Sequence, residues 1–145
     1  MSTVRDIIRK KDNDIWSIAP DATVYGALQM MAEKNVGALL VKTGDQVDGI
    51  LSERDCIRKV DLQGHTSRVT KVSEIMTSDV ISVQVTEKIE DCMGAMIEKN
   101  IRHLPVYEGE QLLGMISVRD VLKEVIEVQK SLISQLERFI TGGGR

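Results

Sequence analysis

The chain has few aromatic residues: one Trp, two Tyr and one Phe among 145 residues. Its hydrophobic fraction of 42% is nevertheless ordinary for a globular protein, so its core has to be aliphatic. No apolar run approaches the roughly 18 residues that span a bilayer, and the N-terminus lacks the apolar segment of a signal peptide. We therefore expect one compact cytoplasmic domain with no membrane partner.

The chain also lacks an excess of positive charge and any cluster of cysteines. Its net charge of −3 argues against a general nucleic-acid binder, although a local group of arginines can still bind a small anion. Cys56 and Cys92 are far apart and form no CxxC, which favours two buried thiols in a reducing compartment. His65 has no Cys, Asp or His at metal-ligand spacing, so we expect no metal site.

Two segments of the chain share one pattern of Gly, two apolar residues, Ser, any residue, Arg and Asp. The segments are 49–55 and 114–120, which lie 65 positions apart (114 minus 49). At this offset about a third of residues 15–55 match residues 80–120, far more than unrelated segments would share. The chain therefore contains a duplication, and a unit stacked on its copy builds paired clefts.

Each copy is predicted to form a strand, a helix, two strands and a second helix. The first helix is expected over residues 22–34, and Asn35 ends it because Asn tolerates a left-handed backbone. A leading segment precedes each copy, where Ile7 corresponds to Ile75, and the polar stretch 61–70 is the linker. We divide the chain into repeat 1 (1–64), repeat 2 (65–125, with its leading segment at 72–79) and a C-terminal helical extension and tail (126–145).

The last helix of the second copy does not stop where that of the first does. Apolar residues recur at helical spacing from Val121 to Ile140, with no Gly or Pro before Gly142. The extension of about five turns exceeds what the repeat needs. We expect it to dock on its own domain or on a second subunit, and we favour a dimer contact.

The strand-to-helix turns carry the candidate chemistry. Ser52 and Asp55 lie three apart at a helix start, as do Ser117 and Asp120. One interpretation is a capping box, in which Ser and Asp satisfy each other's backbone N–H. The other is ligand binding, because a carboxylate accepts both ribose hydroxyls while the helix N-terminus serves a phosphate. The two are compatible, since Ser can cap while Asp faces a cleft.

Together these patterns resemble a tandem pair of CBS domains, also called a Bateman module, from Val4 to about Val125. The resemblance implies a mixed α/β (α+β) fold, in which two pseudo-symmetric β-α-β-β-α CBS repeats pack through their small sheets, with an extended C-terminal helix. It also implies a stand-alone regulatory protein that forms a homodimer.

In the CBS modules that bind adenosine nucleotides, the corresponding Asp holds the ribose and residues around the second strand take the adenine. By position, the resemblance assigns to the second copy Thr77, Ile81, Ile101, Arg102, His103, Met115, Ser117 and Asp120. It assigns to the first copy Ile15 or Trp16, Val36, Gly37, Ala38, Ile50, Ser52 and Asp55.

The basic residues make the two copies different. Arg102 and His103 stand where the first copy has Gly37 and Ala38, and such a basic pair reaches phosphates in nucleotide-binding members of the family. A solvated Arg and a packed His are the alternative. Further phosphate candidates, which resemble ordinary surface arginines, are Arg54 and Arg119. Trp16 either stacks on an adenine or serves as a packing residue or an interface anchor.

The leading hypothesis is a sensor of an adenosine ligand that regulates an enzyme or transporter in trans. AMP, ADP, ATP and NAD(H) fit the arginines better than S-adenosylmethionine, which carries a cation instead of a phosphate. The alternative is a dimeric interaction module without a physiological nucleotide. No nucleophile is paired with a base, so we do not expect an enzyme.

Overall fold

The computed structural model describes residues 2–143, and its element order repeats once along the chain. The first series is α1 (Val4–Lys10), β1 (Ser17–Ile18), α2 (Val24–Lys34), β2 (Ala38–Thr43), β3 (Gln46–Ser52) and α3 (Glu53–Cys56). The second is α4 (Val72–Ile75), β4 (Val83–Gln84), α5 (Ile89–Lys99), β5 (His103–Glu108), β6 (Gln111–Ser117) and α6 (Val118–Arg138). The predicted fold class is confirmed. Residues 144–145 of the predicted tail lie outside the described residues.

Each series forms a three-stranded sheet with the same topology. The first strand of each sheet runs parallel to the middle strand, which pairs antiparallel with the third. In register, Ala38 lies opposite Ser52 and His103 lies opposite Ser117. The sheets therefore place each Ser-x-x-Asp turn beside the first residue of a middle strand.

The chain divides into two compact units that differ from the two sequence repeats. The central unit is Ile15–Val80, and the C-terminal unit joins the residues up to Asp14 with those from Ile81 onward. In the C-terminal unit, Val4 and Ile7 of α1 are buried in the same core as Leu104. The division at residue 64 therefore does not describe which residues pack together.

In the same way, the leading helix of the second copy packs into the core of the central unit. Val72 and Ile75 of α4 are buried in a core with Val24 and Leu39, and the Val72 N–H donates to Ala22 O at 2.8 Å. Apolar periodicity identifies the face of a short helix that must be buried but not the core that receives it. Each leading helix belongs to the core of the other repeat.

The two long inner helices end as their sequences predict. Asn35 has φ 55° and Asn100 has φ 53°, so both terminate their helices in the left-handed region. The helix after Ser52 is α-helical only to Cys56 and continues as a wider π-type segment, Ile57–Asp61. A similar segment, Phe139–Gly143, follows α6. Among residues 2–143 we find no helix with the length and apolar character that crossing a membrane requires.

Candidate functional site

Asp120 and Ser117 form a capping box at the start of α6. The Asp120 N–H donates to Ser117 Oγ at 3.2 Å, and the Ser117 N–H donates to Asp120 Oδ2 at 2.8 Å. The capping interpretation of this turn is confirmed. The other oxygen, Oδ1, accepts no hydrogen bond from the described part of the chain, and the side chain is 23% exposed. One carboxylate oxygen is therefore available to a ligand.

Lys11 approaches the same carboxylate from the N-terminal segment. Its Nζ donates to Asp120 Oδ2 at 2.8 Å and to Met115 O at 2.7 Å. Lys11 is not among the residues that the sequence predicts for this site, because it belongs to the leading segment of the first repeat and precedes Asp120 by 109 positions. Its contacts follow from the exchange of leading helices. Lys11 places a positive charge in direct contact with the carboxylate, in addition to the basic residues that the sequence assigns to this site.

The charges around this turn shift two pKa values. Burial alone raises the pKa of Asp120, but the hydrogen bonds from Lys11 Nζ and the Ser117 N–H outweigh it, so that the pKa falls below 3.8. Burial lowers the pKa of His103 below 6.5; Lys11 and Arg102 lower it further, and Asp120 opposes them. At neutral pH the site therefore holds an ionised Asp120 beside a neutral His103.

The arginines assigned to phosphate are at the surface. Arg102 and Arg119 are both exposed, and in the described part of the chain neither makes an ion pair. Arg102 lies with Ile101 along an open, mainly apolar pocket of about 340 Å³ between α5 and α6. Ile81 packs against the core of the C-terminal unit. The position of Arg102 leaves its guanidinium accessible to a ligand.

Asp55 and Ser52 form the equivalent turn in the central unit. The Ser52 N–H and Oγ–H both donate to Asp55 Oδ2, at 3.1 and 3.0 Å, and the Asp55 N–H donates to Ser52 Oγ at 3.1 Å. The second oxygen faces a lysine of the following helical turn, with Lys59 Nζ 3.4 Å from Oδ1. The cap is confirmed here as well, but both carboxylate oxygens have a neighbour. Arg54 precedes Asp55 and is half-buried.

Thr77 lies in the central unit, although the resemblance grouped it with the second copy. Its N–H donates to Ile50 O at 2.9 Å, and its O accepts from the Ile50 N–H at 3.0 Å. A side chain on Gly49 would collide with this segment, because a Cβ there would lie 2.8 Å from Thr77 O. The grouping of Thr77 is corrected by the same exchange of leading segments.

The remaining first-copy residues surround the start of β2. Gly37 O accepts from the Glu53 N–H at 3.0 Å, and Ala38 is buried. Trp16 packs against the core of the central unit, as does Val36. Lys34 Nζ lies 4.4 Å from the centroid of the Trp16 ring, so one face of the indole contacts a cation. Ile15, the other candidate at this point, is half-buried.

The two turns therefore have different neighbours. Ile50 and Met115 occupy corresponding positions, but Thr77 pairs with the backbone of Ile50 whereas Lys11 binds the carbonyl of Met115. Over residues 2–143, no group of three or more His, Cys, Asp or Glu side chains is placed to hold a metal ion.

Comparison with known proteins places this arrangement in a family. The CBS domain profile matches residues 4–62 and 72–127. The chain is 36% identical over 152 residues to the mitochondrial CBS domain-containing protein CBSX3 of Arabidopsis thaliana, covering 98% of this chain and 73% of that protein. Its fold is similar to that of a protein with CBS domains from Burkholderia ambifaria, with a TM-score of 0.85, 43% identity and coverage of 87% of this chain and 95% of that one. It is also similar to the hexameric CBS-CP12 protein of bloom-forming cyanobacteria, with a TM-score of 0.74, 32% identity and coverage of 83% and 66%. Because the profile matches twice and spans most of its length, the chain belongs to the CBS domain family.

Proposed function

We propose that this chain is a regulatory sensor that binds a phosphorylated adenosine ligand at Asp120. CBS-domain proteins are regulatory modules that generally bind ligands. AMP is the ligand we favour, and ADP, ATP and NAD(H) are alternatives with the same adenosine part. The observation that carries the proposal is the ionised Asp120 carboxylate, fixed at a helix start with one oxygen open.

The carboxylate matches a ribose. An ionised carboxylate only accepts hydrogen bonds, and a ribose presents two neighbouring hydroxyl donors. Oδ2 of Asp120 is held by the Ser117 N–H and Lys11 Nζ, which fixes the direction in which Oδ1 points. A preorganised acceptor of this kind costs little ordering on binding.

Lys11 favours a phosphorylated ligand over a nucleoside. An ammonium has three N–H donors, and Lys11 donates two of them to Asp120 Oδ2 and Met115 O. The third donor and the positive charge are available to a phosphate oxygen, and exposed Arg102 and Arg119 can add to the same potential. S-adenosylmethionine, which carries a cation, would be repelled by the same groups.

The turn at Asp55 is a second candidate site in the central unit. We rank it below Asp120 because Lys59 already lies against its second oxygen. A signal requires that the ligand bind one conformation of the protein better than another. We propose that this difference is passed to a regulated enzyme or transporter, and that the sensor acts as a homodimer in a reducing compartment, the cytoplasm. Two buried, free cysteines support the reducing compartment.

A dimeric interaction module without a nucleotide is the second candidate function. It is favoured by one observation, the exposed apolar residues along α6, which suit an assembly surface. The two functions differ in the role of Asp120: in a sensor it binds the ligand, whereas in an interaction module it only caps α6.

Calorimetric titration with AMP, ATP, NAD(H) and S-adenosylmethionine separates the two functions. We expect saturable binding of a phosphorylated ligand, weakened about 10- to 100-fold by Asp120→Asn, because a charge-assisted hydrogen bond is lost. The matched control is Asp91→Asn, since Asp91 is an exposed first-turn residue of α5. No binding of any of the four ligands to the wild-type protein would refute the sensor and leave the interaction module.

A further inference from the structure

The long helix α6 leaves a row of large apolar side chains exposed. Their exposed fractions run from 45% to 79% at Leu122, Ile126, Ile133, Leu136 and Ile140. Those from Leu122 to Leu136 lie on one face of α6 over a length of about 21 Å, and Ile140 continues the row in the π-type segment Phe139–Gly143. A contiguous apolar surface of this kind marks a site of association.

The spacing of this row is that of a coiled-coil seam. Positions 122, 126, 129, 133, 136 and 140 alternate steps of four and three, which is the heptad pattern. Ile occupies one seam position at Ile126, Ile133 and Ile140, and Leu occupies the other at Leu122 and Leu136. In parallel coiled coils this choice favours two helices, so it supports a helix pair without indicating its direction, and the polar Gln129 within the seam restricts the register.

The seam is symmetric about its own midpoint, Ser131. In an antiparallel pair of identical helices centred there, Leu122 faces Ile140 of the second copy and Ile126 faces Leu136. Gln129 then faces Ile133. Every seam residue meets one from the other copy, as a two-fold interface between identical surfaces requires.

The residues beside the seam decide the direction of pairing. One flank carries Lys123, Lys130 and Glu137, and the other carries the exposed Leu132 and Phe139, while Val125 on that side packs against the core of its own unit. Antiparallel helices place like flank against like, so that Lys123 meets Glu137 twice and the apolar flanks widen the buried face. Lys130 meets its own copy at the centre, where its long side chain can turn to solvent. Parallel helices would instead set each charged flank against an apolar one.

The pocket between α5 and α6 fits the same arrangement. Leu122 lines this open pocket of about 340 Å³, together with Met93 and Ile97, and Ile97 is 75% exposed. In the antiparallel pair, Phe139 and Ile140 of the second copy arrive beside Leu122. Methionine-rich walls adapt to such side chains.

We propose that α6 pairs antiparallel with α6 of a second copy, centred near Ser131, and that Phe139 and Ile140 of each copy fill the α5–α6 pocket of the other. This inference rests on the homodimer of the proposed function and specifies its interface. The long helix is then an assembly element, and ligand binding at Asp120, in its first turn, lies on the same helix as the dimer contact.

Disulfide crosslinking of single-cysteine additions tests the direction of pairing. Leu132 is the flank residue that meets its own copy across the midpoint, so Leu132→Cys should crosslink with itself under mild oxidation. Ile126→Cys should crosslink only when mixed with a Leu136→Cys chain. A parallel pair would give the reverse, with Ile126→Cys joining to itself. The wild-type chain is the control, because Cys56 and Cys92 are buried.

Charge exchange tests the flank contacts without adding cysteine. Lys123→Glu and Glu137→Lys should each weaken the dimer about tenfold, as measured by sedimentation equilibrium, because two ion pairs become repulsions. The double variant should restore the wild-type dissociation constant. Circular dichroism of each variant separates a weaker dimer from a lost fold.

Each outcome decides the inference. If Ile126→Cys crosslinks with itself, or if Lys123→Glu and Glu137→Lys leave the dissociation constant unchanged, the antiparallel arrangement is wrong and the homodimer remains. A protein that stays monomeric at all concentrations overturns both. Neither result touches ligand binding at Asp120, which calorimetry measures separately.

Discussion

Lys11 Nζ lies 2.8 Å from Asp120 Oδ2, although 109 positions separate the two residues. The contact forms because the leading helix α1 is buried in the core of the C-terminal unit. It gives the Asp120 turn a cation that the Asp55 turn obtains only from its own helix, through Lys59. The two halves of a duplicated sequence have thereby acquired different electrostatic surroundings.

We expect Lys11→Met to reduce the preference for AMP over adenosine. The ammonium contributes to phosphate binding and hardly at all to the uncharged nucleoside, so the ratio of the two affinities should fall about tenfold. Calorimetric titration of both ligands measures this ratio.

The matched control for this variant is Lys88→Met, which removes one exposed lysine before α5. An equal loss of preference in both variants would mean that Lys11 acts only through net charge. An unchanged preference in Lys11→Met would remove Lys11 from the site.

The His103 imidazole should titrate below 6.5, because burial disfavours its charged form. Lys11→Met should raise this midpoint by removing a positive neighbour, and Asp120→Asn should lower it by removing a negative one. The midpoint is read from the pH dependence of the His103 ring proton in NMR spectra. A midpoint that neither variant moves would show that the three groups are not coupled.

The same shift has a consequence for stability. Because the folded pKa of His103 is depressed, the unfolded chain binds more protons below pH 6.5. The contribution of neutral His103 to the free energy of unfolding should therefore be fully present above pH 6.5 and decrease as the pH falls from there toward the folded pKa. His103→Gln should abolish this part of the decline in urea unfolding measured between pH 7 and pH 5. An equal decline in wild type and variant would assign it to other groups.

The sequence predicted much of what is local. The left-handed Asn35 and the two Ser-x-x-Asp caps follow from residue chemistry within one turn, and all are present. The same applies to the duplicated order of strands and helices, because each copy has its own periodicity.

What the sequence could not provide are contacts across the exchanged leading segments. Lys11 at Met115 and Thr77 at Ile50 both depend on which core receives a short apolar helix. Each unit has an apolar core that can receive such a helix, and periodicity does not indicate which of the two does so. Gly49 carried a usable signal, since a glycine inside a strand often marks the close approach of another backbone segment.

Both cysteines should be unreactive in the folded protein. Burial raises the pKa of the Cys56 and Cys92 thiols to about 11, and the charges of Asp55 and Glu53 add to the effect at Cys56. At pH 8 the thiolate fraction is therefore very small. We expect a colorimetric thiol reagent to titrate two groups in urea and almost none, on the same timescale, in buffer. Rapid labelling in buffer would show that these segments open readily.

Gly49→Ala should destabilise the central unit, because its Cβ would lie 2.8 Å from both Met76 Sδ and Thr77 O. The methionine can move, but the Thr77 carbonyl belongs to a backbone pair with Ile50, so we expect a loss of about 1–3 kcal/mol. Gly94→Ala is the matched control: it lies within α5 with open space around it, and should stabilise by about 0.5–1 kcal/mol. Urea unfolding measures both. A loss of stability in Gly49→Ala together with a gain in Gly94→Ala would show that the collision with the Thr77 segment destabilises the protein, and not the replacement of Gly by Ala as such. A neutral Gly49→Ala would mean that the Thr77 segment moves aside without cost.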